Sequence, residues 1–269
     1  MKFMISLFAI AMLIASALSV PLVPGARGLA ESLDSSPFTG LPSVPHLSGG
    51  PLLRSDHQPE QYSINWAGAY LNGTGYKSVT GQFEAPTVKF PPHADPRFTY
   101  CGSVWVGIDG ATCNSAILQT GIDYCVNSTA VVYAAWFEWF PDRSHNFKNF
   151  SISAGDIIKV SVGATSLTTG SAVVENLSNG EIVSHEFKKG EGVGLCEENA
   201  EWIVEDFTAG DSLMPFADFG NITISNAHAI TADGKVFGPL DAIPVDMRQD
   251  RILTSVSRTK DSVTITYVG

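Results

Sequence analysis

Residues 103–123 read SVWVGIDGATCNSAILQTGID and contain two strand-like runs joined by a short loop. In the first run, residues 104–109, the aliphatic side chains alternate with Trp105, Gly107 and Asp109. Successive side chains on a β-strand point to opposite faces, so the aliphatic set is predicted to face the core. The other set faces outward, where a ligand could bind.

The second run, residues 116–123, follows closely enough to form an antiparallel hairpin with the first. If paired residues have numbers that sum to about 226, Gln119 lies opposite Gly107 on the outward face. A slip of one residue would send Gln119 to the core face instead. From this pattern alone, a polar residue on a solvated sheet is the simpler interpretation of Gln119.

Short runs rich in Val, Ile, Thr and aromatic residues recur from residue 63 to the C-terminus, with Gly, Asn, Asp and Ser between them. None of the longer stretches carries a helical stripe of apolar residues. This spacing predicts one all-β domain over residues 63–269, an antiparallel two-sheet β-sandwich or jelly roll of about 205 residues.

The first residues have the layout of a secretory signal. Met1 and Lys2 lead into an apolar run, residues 4–18, that ends in small residues. We expect residues 1–19 to be cleaved and the protein to be secreted to the extracellular space. An uncleaved anchor is the alternative, although the run is short for a membrane span. Later residues contain no apolar stretch of spanning length, so no membrane partner is expected.

Residues 20–62 are rich in Pro, Gly, Ser and Leu and lack a sustained strand or helix period. Such a segment buries too little apolar surface to fold alone, so it is expected to be a removable pro-segment or a tether. The pro-segment interpretation predicts a mature chain that begins between about residues 55 and 64.

The net negative charge of the chain limits the partners that it can bind. Acidic residues outnumber basic ones by 27 to 16, and the formal net charge is −11. Nucleic acids and anionic membranes need a basic surface, so neither is expected as a partner. At low pH the carboxylates are neutral and only a modest positive charge remains, so electrostatic repulsion within the chain would be small in an acidic medium.

Cysteines and glycosylation sequons fit an exported protein. Four cysteines in a secreted chain predict two disulfides, and the count alone leaves three pairings open. The sequence contains five N-x-S/T sequons, and each would lie on an exposed turn or loop if it were glycosylated. They begin at Asn72, Asn127, Asn149, Asn176 and Asn221.

The common catalytic motifs are missing from the sequence. It has no G-x-S-x-G elbow, no H-E-x-x-H helix, no phosphate-binding glycine loop and no C-x-x-C pair. A metal site or a cofactor is therefore not expected. The histidines show no partner pattern and are not expected to be catalytic. They are His46, His57, His93, His145, His185 and His228.

Acids within two apolar strands are the remaining candidates for chemistry. In residues 131–141 alternation places Glu138 on one face with Trp136 and Phe140. A core strand with a single acid at the sheet edge would look the same.

Residues 199–207, NAEWIVEDF, place Glu201, Ile203, Glu205 and Phe207 on one face of a second acidic strand. Desolvation beside apolar neighbours raises a carboxyl pKa toward that of a general acid or base. An edge strand with solvated acids is the alternative interpretation.

Five ordered motifs resemble the eqolisins, a family of glutamic peptidases. They are NWAGA (65–69), WVGIDG (105–110), AILQTG (116–121), AWFEWFP (135–141) and NAEWIVEDF (199–207). The resemblance runs from residue 63 to the C-terminus. It implies a concanavalin-like sandwich of two antiparallel sheets, with a substrate groove on the concave sheet.

The resemblance also implies an acid endopeptidase that cleaves polypeptide substrates without metal or cofactor. It further implies insensitivity to pepstatin and removal of a pro-segment. By motif, Glu205 is the general base that activates water and Gln119 stabilises the oxyanion. A carboxylate can take a proton from water and return it to the leaving amine, while an amide keeps its hydrogen-bond donors at any working pH.

Five further positions match family residues that line or support the groove and are expected to bind substrate. They are Trp66, Trp105, Asp109, Asp123 and Glu138. Phe140 departs from the family pattern, which has Tyr there. The leader also lacks the basic character expected of the family.

The resemblance implies a disulfide between Cys113 and Cys196. The hairpin register proposed above places Cys101 opposite Cys125, so these two are predicted to pair. A monomer is expected.

Two other functions fit the same residues. A β-sandwich glycoside hydrolase could use Glu138 and Glu205, whose carboxyl groups would lie about 5 Å apart in a retaining enzyme. A non-catalytic lectin could stack Trp66, Trp105 and Trp136 on sugar rings.

Overall fold

The computed structural model of the chain describes residues 61–189, 192–209 and 212–269, together with the backbone of Phe38–Thr39. The expected signal, residues 1–19, and nearly all of the expected pro-segment lie outside the described residues. In the part of the chain that is described, no helix is long and apolar enough to cross a membrane.

One sheet, here called the site sheet, carries the outward face predicted from residues 103–123. Its eight strands within the described residues, numbered along the chain, lie in the order β2 (Gln61–Ser63), β17 (Ile243–Met247), β3 (Trp66–Asn72), β12 (Asn199–Glu205), β5 (Tyr100–Ile108), β6 (Ile117–Val126), β7 (Val131–Phe140) and β8 (His145–Asn146). Neighbouring strands are antiparallel except β2 and β17, which are parallel.

A second sheet, the backing sheet, packs against the inner face of the site sheet. Its strands lie in the order β11 (Glu181–Phe187), β10 (Thr169–Asn176), β9 (Ile157–Ser166), β4 (Tyr76–Glu84), β15 (Asn221–Thr231), β19 (Val263–Tyr267) and β18 (Thr254–Arg258), with β16 (Val236–Phe237) paired to β15. The two sheets form the antiparallel β-sandwich that the sequence predicts.

Three short strands form a small sheet, in which two strands that follow β12 pair with one from the leader. They are β1 (Phe38–Thr39), β13 (Thr208–Ala209) and β14 (Ser212–Leu213). In this sheet a piece of the leader, β1, pairs antiparallel with β13. A single 3₁₀ turn, Pro239–Asp241, precedes β17.

The core lies between the two large sheets, where the aliphatic sides of their strands meet. Val104 and Trp202 of the site sheet and Val79 and Val160 of the backing sheet belong to this cluster and are fully buried. Each such side chain stabilises the fold by about 1.5–3 kcal/mol. Trp202 also joins the sheets directly, because its Nε1 donates to Thr80 O at 2.9 Å.

The predicted hairpin register is confirmed. Gly107 pairs with Gln119, and Cys101 pairs with Cys125. Cys101 is disulfide-bonded to Cys125, and Cys113 is bonded to Cys196, so both expected bridges are present.

Asn176 does not meet the condition of exposure set for a glycosylated sequon. This residue is 1% exposed at the end of β10. Its Nδ2 donates to Ser151 O at 2.9 Å and to Asp156 Oδ2 at 2.8 Å. The nitrogen that would carry a glycan is therefore already used inside the fold.

Candidate functional site

The outward face of the site sheet carries three rows of residues that run across its strands. Because alternate residues of β12 face this side, each row crosses β12 two residues from the next. The Glu205 row contains Trp66, Glu205, Ser103 and Asp123. The Trp105 row contains Ile203, Trp105, Gly121 and Trp136. The Gln119 row contains Glu201, Gly107, Gln119 and Glu138.

Glu205 is buried at the end of β12, with 1% of its surface exposed. Its Oε2 accepts a hydrogen bond from Trp105 Nε1 at 2.9 Å. Trp66 packs edge-on against the ring of Trp105, with centroids 4.9 Å apart. These contacts hold the carboxyl group in a fixed direction on the outward face.

Gln119 is fully buried and lies beside Glu138. Its Nε2 donates to Glu138 Oε2 at 2.9 Å, while its Oε1 has no hydrogen-bond partner. An amide nitrogen carries two hydrogens, so one N–H of Gln119 remains available for a ligand.

Trp105 lies between the rows of Gln119 and Glu205. The register separates those two residues by one intervening strand and four positions along the chain, which gives a Cα distance on the order of 15 Å. Their side chains therefore lie on either side of Trp105 on the outward face. Gly121 makes this arrangement possible, because a Cβ there would lie 2.5 Å from Trp105 Cβ.

Asp123 is buried beside Ser103 and Trp136 in the same part of the face. Trp136 Nε1 donates to Ser103 Oγ at 3.2 Å. Burial raises the pKa of Asp123 to about 7, against the opposing effect of hydrogen bonds from Ser103 and Trp136. At acid pH this side chain is a neutral acid.

Asp109 supports the site from the loop that follows β5. Its two carboxyl oxygens accept four backbone N–H groups, those of residues 196–199. The residue has a positive φ of 71° and is fully buried, and burial raises its pKa despite those bonds. Asp109 thus fixes the start of β12, which carries both Glu201 and Glu205.

Sequence reasoning gave no role to Glu201, which lies in the site, or to Asp206 and Gln249, which are hydrogen-bonded to each other just beyond Glu205. Glu201 is fully buried in the Gln119 row. Asp206, at the end of β12, accepts a hydrogen bond from Gln249 Nε2 at 2.8 Å, and burial raises its pKa to about 8. Alternation could have found Glu201, whereas the distant Gln249 leaves no local signal.

Asp109, Cys113 and Cys196 lie close enough together to resemble a metal-ligand cluster. Both sulfur atoms are used in a disulfide, and Asp109 is occupied by backbone N–H groups. This cluster therefore offers no free thiolate to a metal.

We expect the folded protein to lose stability as the pH rises from about 4 to about 7. Asp123 keeps its proton in the folded state up to about pH 7, whereas an unfolded Asp releases it near pH 3.9. Between these values the folded state binds more protons, so the free energy of unfolding falls by up to about 1.4 kcal/mol per pH unit for this group. Urea unfolding at several pH values measures the slope.

The Asp123→Asn variant should flatten this slope, because its side chain cannot ionise. Asp250→Asn is the matched control, since Asp250 is exposed and should leave the slope unchanged. A wild-type protein that gains stability between pH 4 and 7, or an unchanged slope in Asp123→Asn, would contradict this assignment.

Known proteins resemble this chain over most of its length. A family model described as the Peptidase A4 family matches residues 64–267. Aspergillopepsin-2 of Aspergillus niger is 45% identical over 279 residues, which cover 98% of this chain and 97% of that protein. Scytalidopepsin B of Scytalidium lignicola is 36% identical over 229 residues, covering 82% and 85% of the two chains.

Solved structures show the same similarity. A crystal structure of scytalido-glutamic peptidase with a transition state analog inhibitor is 36% identical, with a TM-score of 0.68, and the match covers 76% of this chain and 98% of that one. The aspergilloglutamic peptidase of Aspergillus niger is 54% identical, with a TM-score of 0.61 and coverage of 63% and 99%.

Proposed function

The chain belongs to the Peptidase A4 family, the eqolisin glutamic peptidases, and from this premise we propose that it is a secreted acid endopeptidase with a Glu/Gln dyad. Glu205 acts as general base on the attacking water, and Gln119 donates a hydrogen bond to the oxyanion. The supporting observation is that both side chains lie on one face of the site sheet, on the two sides of Trp105.

The two residues suit different steps of peptide hydrolysis. Glu205 is oriented by the indole of Trp105, so its carboxylate can take a proton from water and later return it to the leaving amine. Gln119 is oriented by Glu138, which leaves an N–H for the negative charge that develops on the carbonyl oxygen. Neither step needs a metal or a cofactor.

The register disfavours the glycosidase alternative. Glu138 and Glu205 are three strands and four residues apart, or about 14 Å across the sheet and about 13 Å along it. A retaining enzyme needs carboxyl groups about 5 Å apart. The lectin alternative is also disfavoured, because Trp66, Trp105 and Trp136 are buried in the full-length chain instead of presenting open faces.

Digestion of an unfolded protein by the purified chain tests the proposed activity. At acid pH, with pepstatin and a metal chelator present, we expect internal cleavage and new peptides by mass spectrometry. Pepstatin suppresses contaminating aspartic peptidases, and the chelator suppresses metallopeptidases. An intact protein substrate together with cleavage of a polysaccharide would favour the glycosidase.

We further propose that the leader is a pro-segment that must be removed. The supporting observation is that β1 of the leader pairs with β13, just beyond Glu205. The active protein is predicted to begin between about residues 55 and 64, near the start of the first strands of the site sheet, β2 at Gln61 and β3 at Trp66. Mass spectrometry of the secreted protein measures this N-terminus. A fully active protein that begins near Val20 would contradict the pro-segment.

A further inference from the structure

Glu201 has an unusual environment for an acid. It is fully buried, and neither of its carboxyl oxygens has a hydrogen-bond partner that meets ordinary geometry. The nearby backbone N–H of Ala111 gives it only weak stabilisation. A buried charge without partners costs several kcal/mol, so such a group is kept in its neutral form.

The carboxyl group of Glu201 lies over Gly107, on the side of the sheet that carries Gln119. A Cβ added at Gly107 would lie 3.3 Å from Glu201 Oε2. The ring of Trp105 also lies over Gly107, with Cζ3 2.9 Å from that position, so the lack of a side chain at Gly107 makes room for both groups between Glu201 on β12 and Gln119 on β6. Equivalent positions two strands apart are about 9.6 Å apart, a distance that two long side chains can span.

The side-chain oxygen of Gln119 has no hydrogen-bond donor, and a neutral Glu201 carries one. Its Nε2 is held by Glu138, and its buried Oε1 accepts no hydrogen bond. A protonated carboxyl group has an O–H donor, whereas a carboxylate can only accept. The neutral acid can thus bond to Gln119 Oε1, and the ionised acid would repel it.

We propose that Glu201 is a positioning residue: as a neutral carboxylic acid it donates to Gln119 Oε1 and fixes the amide with its N–H groups toward Glu138 and the substrate. This inference rests on the proposed function of Gln119. A rotated amide would present its oxygen to the developing oxyanion, so the correct orientation is needed for catalysis. When Glu201 loses its proton, this orientation is lost, which sets an upper pH limit on activity.

The groups around Glu201 favour the neutral form. Burial raises its pKa well above the usual range, and the nearby charge of Asp109 raises it further. Tyr70 lies opposite it on β3 and Tyr76 lies on β4; burial raises the pKa of both phenols, and the charge of Glu201 raises it further. Glu138 faces it from beyond Gln119. These neighbours are acidic or neutral, so they oppose the ionisation of Glu201.

Two variants of Glu201 test the proposal through the pH dependence of kcat for peptide cleavage. Glu201→Gln keeps a neutral donor, so we expect kcat at acid pH within about threefold of wild type and a high-pH limb displaced to higher pH. Glu201→Ala removes the donor, and we expect kcat to fall by about 10- to 100-fold with little change in KM. Glu186→Gln is the control, because Glu186 is exposed on β11 of the backing sheet and should change neither value.

Three results would overturn the proposal: wild-type kcat in folded Glu201→Ala, an equal loss of kcat in both variants, or an unmoved high-pH limb in Glu201→Gln. If the alanine variant does not fold, the pH dependence of kcat for Glu201→Gln tests the proposal by itself. A residue that only fills space would change stability but would not move that profile. A wild-type protein with no peptidase activity would instead refute the proposed function.

Discussion

Replacing Glu205 with glutamine should lower kcat for peptide hydrolysis by about 10² to 10⁴, the usual effect of losing a general base. The substitution removes the proton acceptor at nearly constant shape. A glutamine oxygen at this place can still accept the hydrogen bond that Trp105 Nε1 now donates to Glu205 Oε2. Folding and substrate binding are therefore expected to survive, and the loss should appear in kcat.

Initial rates on an unfolded protein at acid pH, together with circular dichroism of each variant, measure this effect. Glu186→Gln serves again as control, because it makes the same chemical change on an exposed strand of the backing sheet. Near-normal cleavage by folded Glu205→Gln would rule out Glu205 as the base.

Replacing Gln119 with alanine should lower kcat by about 10² to 10³, the scale found when one oxyanion donor is removed. The side chain is buried, but it points to the outward face and contacts Glu138 instead of filling the core between the sheets. KM should change less than kcat, because the donor acts mainly on charge that develops during the reaction.

The matched control is Gln82→Ala, which removes an amide from β4 of the backing sheet and should leave kcat unchanged. Because removal of Gln119 also takes away the donor to Glu138, thermal unfolding must show that the variant remains folded. A folded Gln119→Ala protein with wild-type kcat would exclude the oxyanion role.

Much of the site sheet could be predicted from local alternation. In β5 the aliphatic side chains share one face, and the short loop after it indicates a hairpin with β6. The position of Gln119 opposite Gly107 needed one further assumption, the register, which the structure confirms. In β12 the same alternation separates Trp202, which packs in the core, from Glu201 and Glu205.

Other features depend on contacts between distant parts of the chain. Asp109 was expected to line or support the groove, but nothing local indicates that it accepts four N–H groups from residues 196–199. The partner of Asp206, Gln249, lies on a segment that follows β17. Asn176 looked like an exposed sequon because the motif contains no information about burial.

A comparison of two acids of one strand tests the proposed roles most directly. Glu201 and Glu205 face the same side of β12, and Glu201 shares its row with Gln119. The two differ in environment, since Glu205 accepts a hydrogen bond from Trp105 and Glu201 has no such donor. We therefore assign the role of general base to Glu205 and the role of neutral hydrogen-bond donor to Glu201.

The measurement is kcat of folded Glu205→Gln and folded Glu201→Gln at the acid pH where the wild type is most active. We expect a loss of at least about 10² for Glu205→Gln and a value within about threefold of wild type for Glu201→Gln. The reverse order, with Glu201→Gln inactive and Glu205→Gln active, would contradict the account and make Glu201 the general base.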